Sequence, residues 1–192
     1  MKKLLITGFD PFGGAAINPS WLAVQGLPSK VGSFELCKLQ IPTVFGLAAQ
    51  KVITLADEIH PNVILCIGQA GGRSAITPER IAVNIRDGKI ADNAGFQPSG
   101  EPVVPDAPAA YFTTLSVNEM VTAIAGTGVP TQASNSAGAF VCNDTLYALL
   151  HHYAGTSVRV GFIHVPYLPE QGSPSLPLSH IVKALEAAIS VL

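Results

Sequence analysis

The sequence predicts an α/β fold, specifically a three-layer α/β/α sandwich with a mostly parallel, twisted central sheet, and three observations carry that prediction. Short apolar runs alternate with segments of helical period along the chain, as they do where strands are joined by crossover helices. One run, "NVILCIG" (62–68), is apolar almost throughout, which suits a strand covered on both faces. The length of 192 residues and hydrophobic content of 48% fit one core, so residues 1–192 are read as a single domain.

The elements follow in order. "KKLLITG" supplies a first strand and "FELCKLQI" (34–41) a second. "FGLAAQKVITLADEIH" (45–60) sets Leu47, Val52, Leu55, Ala56 and Ile59 near helical spacing, and Pro61 ends it. The apolar strand 62–68 comes next. Residues 85–110, rich in Gly, Pro, Asp and Asn without a period, read as an irregular loop or arm that covers a site or reaches another subunit. Beyond it, "SVNEMVTAIAG" (116–126) predicts a helix and "VPTQAS" a short strand. "DTLYALLHHYAG" (144–155) predicts a helix with Leu146, Leu149, Leu150 and Tyr153 at i, i+3, i+4 and i+7, stopped at Gly155. A strand over 158–165 and a helix over 178–192 complete the chain.

Composition removes several function classes. A net charge of −2 with only 12% charged residues leaves no electrostatic footprint for nucleic acid or an anionic membrane. The apolar run after Lys2 and Lys3 stops at Gly8, too short for a secretory signal, and no later run approaches the ~18 residues of a membrane span. A cytoplasmic location is therefore expected. Cys37, Cys66 and Cys142 have no disulfide-framework or zinc spacing, so each thiol is expected to be free. Neither a metal nor a cofactor is expected: the G-x-S-x-G, phosphate-loop and H-E-x-x-H patterns are absent, and "GQAGGR" lacks dinucleotide-binding spacing.

One thiol stands apart. "SNSAGAFVCND" (134–144) delivers Cys142 to the start of a helix, where the dipole and free N–H groups favour a thiolate by ~0.3–1 kcal/mol, or ~2 when partly buried. Since ~1.4 kcal/mol equals one pKa unit, a cation has to add to this. Helix-end and solvent-facing roles account for His60, His151, His152 and His180. His164 instead ends a strand, at the sheet edge where α/β proteins bind ligands. It follows Cys142 by 22 residues, one αβ unit, which returns the chain to the same edge and predicts that the two side chains meet. The competing reading of Cys142 is a buried small hydrophobe, a role that suits Cys37 and Cys66 within their apolar strands better.

The surrounding motifs sharpen this. "GFDPFGG" (8–14), "NPSW" (18–21), "GQAGGR" (68–73), "PERIAVN" (78–84), "SNSAGAFVCN" (134–143) and "GFIHVPYLPEQ" (161–171) closely resemble, in order and spacing, the pyroglutamyl-peptidase I family, the pyrrolidone carboxyl peptidases. The resemblance runs from about residue 1 to residue 190. It implies a cytosolic cysteine exopeptidase that removes N-terminal pyroglutamate from peptides on an α/β/α fold, and it places the nucleophile on Cys142, the base on His164 and the third member on Glu79. Sequence spacing cannot select Glu79 from thirteen acidic residues, so that assignment comes from the resemblance alone.

The implied chemistry starts from a sulfur ionised at neutral pH by His164 and the helix dipole, and proceeds through a thioester. Pyroglutamate is a neutral lactam with one N–H and one C=O, which calls for apolar ring faces and a few amide partners. Phe9, Phe12 and Phe140 are the apolar candidates, with Val141 and Ile90 nearby in the family pattern, and Asn18 and Gln69 are the polar ones. Backbone N–H groups near Cys142 are candidates for the oxyanion, and the resemblance adds Arg80 or Arg86. Two positions depart from the family: Ser116 stands where relatives often have proline, and Asp144 where some have histidine. The family also implies a homo-oligomer, tetramer or dimer. The alternative is a non-catalytic relative that holds a pyrrolidone-like ligand or senses oxidation at Cys142.

Overall fold

Alternation of side chains along the strands decides the layering in the computed structural model, which describes residues 2–192. In β1 (Lys2–Phe9), Leu4 and Ile6 point to one face of the sheet and Leu5 and Phe9 to the other, and all four are buried. Helix α1 (Pro19–Gly26) follows, then β2 (Lys30–Val31), β3 (Phe34–Ile41), α2 (Leu47–Ile59) and β4 (Val63–Gln69). The short strands β5 (Thr77–Pro78), β6 (Ile81–Val83), β7 (Arg86–Asp87), β8 (Ser99–Glu101) and β9 (Ala110–Phe112) come next. Helices α3 (Val117–Ala125) and α4 (Val141–His152), strand β10 (Arg159–Val165) and helix α5 (Leu178–Ser190) close the chain.

The main sheet runs β2-β3-β1-β4-β10-β5. The four inner strands are parallel, and the two-residue edge strands β2 and β5 pair antiparallel. Helices α1, α3 and α5 bury Val24, Met120, Ile181 and Leu185 against Leu4, Ile6, Leu65 and Ile163 on one face. Helices α2 and α4 bury Val52, Leu146 and Leu149 against Leu5, Ile64 and Phe162 on the other. The expected three-layer α/β/α sandwich is therefore present.

Three local expectations are corrected. An unexpected α1 is capped by Asn18, whose Oδ1 accepts from the Ser20 N–H, with Pro19 in the first turn. The "VPTQAS" segment forms no strand and only bridges singly, Thr131 to Ile76 and Ser134 to Glu79. Helix α4 starts at Val141, three residues before the sequence expectation, and ends at His152, while Gly155 serves the following turn at φ 75°.

The 85–110 segment contains the β7–β8 hairpin and is stitched to the body. The Asp92 carboxylate accepts from the backbone N–H groups of Phe45, Ala94 and Phe96, and the Asn93 N–H donates to Thr43 O. Among the described residues, no helix is long and apolar enough to cross a membrane.

Candidate active site

Strand alternation aims His164 at the side of the sheet that holds Cys142. Val160, Phe162 and His164 share the face of β10 that α4 covers, and the Phe162 ring packs 4.7 Å from the imidazole. Cys142 is the second residue of α4 and descends onto the same strands. Its Sγ rests on Gly68, the register partner of His164: a Cβ built on Gly68 would lie 2.9 Å from the sulfur and 2.7 Å from Phe162. Only glycine fits there. Cys142 and His164 line one cavity of about 280 Å³ together with Phe9, Phe12, Asn18, Gln69, Arg73 and Phe140.

Glu79 arrives by a route that no periodicity encodes. Edge strand β5 turns the chain back beside β10, and the Glu79 N–H donates to Phe162 O. The Glu79 side chain is fully buried, and its Oε1 lies 2.8 Å from His164 Nδ1 and 2.7 Å from the Arg73 guanidinium. With Nδ1 so engaged, Nε2 is the ring nitrogen left for proton transfer.

Electrostatics correct the expectation of a preformed thiolate. Burial pushes the Cys142 thiol up to about 12, reinforced by the Glu79 carboxylate and by Cys66 and opposed by Arg73. Burial also holds His164 below its ordinary value despite Glu79. Burial pushes Glu79 upward too, but the His164 contact outweighs it, aided by Ser134 and Arg73, and keeps the carboxyl below its ordinary value. These directions favour a neutral thiol and imidazole beside a carboxylate. Cys142 is half-buried and lines the cavity, and desolvation there opposes the ~0.3–1 kcal/mol that a helix terminus offers a thiolate.

The N-terminus of α4 still has a use. Its N-cap, Phe140, makes no side-chain capping bond, so the first-turn N–H groups beside Cys142 lack the usual side-chain partner. Asn143, one residue past Cys142, fixes the helix to β6 by accepting from the Val83 N–H at 2.9 Å and donating to Val83 O and Ile85 O.

The proposed pocket residues divide. Phe9, Phe12 and Phe140 do line the Cys142 cavity, and Phe12 and Phe140 pack at 6.0 Å. Gln69 lines it too, with Oε1 accepting from Gln171 Nε2. Asn18 reaches the wall, but its amide is largely committed: Oδ1 accepts from Ser20, and Nδ2 donates to Asp10 O. Val141 is fully buried in the core beneath and lines no part of the cavity, because the helix turns its side chain toward the sheet. Ile90 is 46% exposed and lines an adjoining cavity instead.

The arginines sort differently from expectation. Arg80 bonds Asn118 on another surface, and Arg86 pairs with the buried Asp144, so neither lines the cavity. Asp144 also accepts from the Gly46 N–H and so ties α4 to the start of α2. Arg73 was missed. It bonds Thr77, Glu79 and Ser136 O, and its only sequence signal is its place at the end of "GQAGGR".

A thiol at an uncapped helix start, beside an imidazole steadied by a buried carboxylate at the carboxyl edge of a parallel sheet, defines an α/β protein with a cysteine-centred site. The family model described as pyroglutamyl peptidase matches residues 2–192, and the chain belongs to that family. It is 50% identical to a pyrrolidone-carboxylate peptidase of Levilactobacillus brevis, over 99% of this chain and 97% of that protein. The crystal structure of Bacillus amyloliquefaciens pyroglutamyl peptidase I superposes with TM-score 0.96 at 44% identity, covering 100% of this chain and 96% of the other. The pyrrolidone carboxyl peptidase of Thermococcus litoralis gives 0.95 at 38% identity, covering 100% and 93%.

Proposed function

We propose that this chain hydrolyses the bond after an N-terminal pyroglutamyl residue of a peptide, with Cys142 as nucleophile, His164 as proton carrier and Glu79 as the group that orients it. The observation that carries the reading is the shared cavity: the Cys142 thiol, an imidazole anchored through Nδ1 by buried Glu79, and phenylalanine faces suited to a neutral ring.

The steps follow from the protonation states. As the carbonyl carbon approaches Sγ, the thiol proton passes to His164 Nε2, so the charged pair forms only as the C–S bond forms. The first-turn N–H groups of α4 donate hydrogen bonds to the developing oxyanion. The His164 imidazolium, stabilised by Glu79, protonates the departing amine nitrogen as the C–N bond breaks, leaving a thioester. Water, deprotonated by His164, then attacks the thioester carbonyl and releases pyroglutamate and the Cys142 thiol. Gln69 and the cavity phenylalanines hold the lactam, whose missing ammonium leaves nothing for an anionic anchor to grip.

Release of aminomethylcoumarin from its pyroglutamyl amide tests the reading, with prolyl amide as the control. Wild type should cleave the pyroglutamyl amide alone and lose activity to iodoacetamide, and Cys142→Ser should fall by about 10³-fold or more. Undiminished turnover by Cys142→Ser would assign another nucleophile, and no turnover by wild type would make the chain a binding protein. Cytoplasmic residence and a tetramer or dimer belong to the same reading. Phe112, 74% exposed, is one apolar side chain available for assembly, and light scattering in solution reads the mass.

A further inference from the structure

A second cavity, of about 570 Å³, adjoins the one that holds Cys142, and Phe12 and Gln69 form a wall common to both. The dividing wall is held from the second cavity's side: Gln171 Nε2 donates to Gln69 Oε1 at 2.9 Å and to Ile17 O at 3.3 Å. Ile90 and Tyr167 complete an amphipathic lining, and Glu170 is the one charged side chain on it among the described residues.

The proposed reaction needs such a space. The bond broken joins the lactam to a continuing chain, and a 280 Å³ cavity that already holds the ring has little room for that chain. A further cavity shares only Arg73 with the Cys142 cavity, and that side chain is held in place by its bonds to Thr77, Glu79 and Ser136 O. On the other side, Phe12 and Gln69 border both cavities, so the 570 Å³ space lies directly beside the one that holds Cys142.

Resting on the reaction proposed above, we infer that the 570 Å³ cavity receives the residues that follow pyroglutamate and that Glu170 makes it favour cationic over anionic side chains there. Glu170 is exposed, so its field is screened by salt and its effect is a graded preference. No residue of the lining opposes it with a positive charge, and the aliphatic stem of a lysine or arginine matches the Ile17 and Ile90 side of the wall.

The test compares matched pyroglutamyl peptide amides that carry Lys or Glu at the first or the second residue after the ring. The readout is the ratio of kcat/KM within each pair, so a general loss of activity in a variant cancels. Wild type should prefer Lys by about threefold to tenfold in at least one pair at low salt, and added salt should compress the ratio. Glu170→Gln should bring that ratio to near one and Glu170→Lys should invert it. A wild-type ratio near one in both pairs overturns the inference, as does a Lys preference that survives both substitutions. Failure of wild type to cleave any pyroglutamyl substrate instead overturns the underlying reaction, so the two failures are separable.

Discussion

The two faces of the sheet are built from the same strands and do different work. Toward α1, α3 and α5 the buried surface is an apolar layer from Leu4 to Ile189, with buried Ser20 at the start of α1. Toward α2 and α4 the layer is apolar too, but its carboxyl edge gives way to buried Glu79, Asn143, Asp144 and His164. Each of these polar groups has partners in place: His164 and Arg73 for Glu79, β6 for Asn143, Arg86 and Gly46 for Asp144. Buried ionisable groups are thus concentrated at the cavity edge and mostly compensated by specific partners, while Glu79 Oε2 and the Thr7 hydroxyl are buried without a hydrogen bond.

Substitutions on the two faces should therefore separate chemistry from stability. The largest expected effect is Glu79→Gln, which keeps the shape but removes the negative charge that steadies the His164 imidazolium; kcat/KM should fall by about 10²–10⁴-fold with fold retained by circular dichroism. Its pH profile adds a sign. Burial holds His164 below its ordinary 6.5 while Glu79 raises it, so the wild-type acid limb of kcat/KM should lie below pH 6.5 and that of the variant lower still. A limb above pH 6.5 in the wild type would contradict the neutral-imidazole site.

On the opposite face, Leu185→Ala should cost about 2–5 kcal/mol in urea unfolding and leave kcat/KM of the folded protein within about twofold. A comparable loss of kcat/KM would dissolve the distinction between the faces.

A smaller effect comes from Cys66, fully buried in β4 and raised by burial from 9.0 to about 12. Above pH 9.0 the unfolded thiol loses its proton while the folded one keeps it. The stabilisation is thus complete below that pH and declines by about 1.4 kcal/mol per unit as pH rises toward 12. Cys66→Ala should remove that part of the alkaline slope in denaturant titrations, and an unchanged slope would show that this thiol does not titrate with unfolding.

The sheet face and the site were legible in the sequence to different degrees. Strand β3 is found at its expected bounds, and β1, β4 and β10 are found close to theirs, because buried parallel strands leave long apolar runs. Helix α1 left little trace: it spans eight residues and buries Pro19, Ser20, Ala23 and Val24, which draw no apolar stripe. Cys142 and His164 were found because one αβ unit brings them to one edge. Glu79 and Arg73 were beyond such reasoning, since a two-residue antiparallel edge strand carries one of them in and the other lies in a glycine-rich loop. The raised thiol was not legible because the helix start is visible in sequence, whereas the local desolvation and the approach of the Glu79 carboxylate exist only in the folded chain.

The central claim is that Cys142, and neither Cys66 nor Cys37, carries the acyl group. Rapid acid quenching of wild-type protein during turnover of a pyroglutamyl peptide, followed by mass mapping of the three cysteine-containing segments, reads this directly. A pyroglutamyl adduct on Cys142 is the result predicted; an adduct on another residue, or steady turnover with no adduct on Cys142 at any quench time, would contradict it.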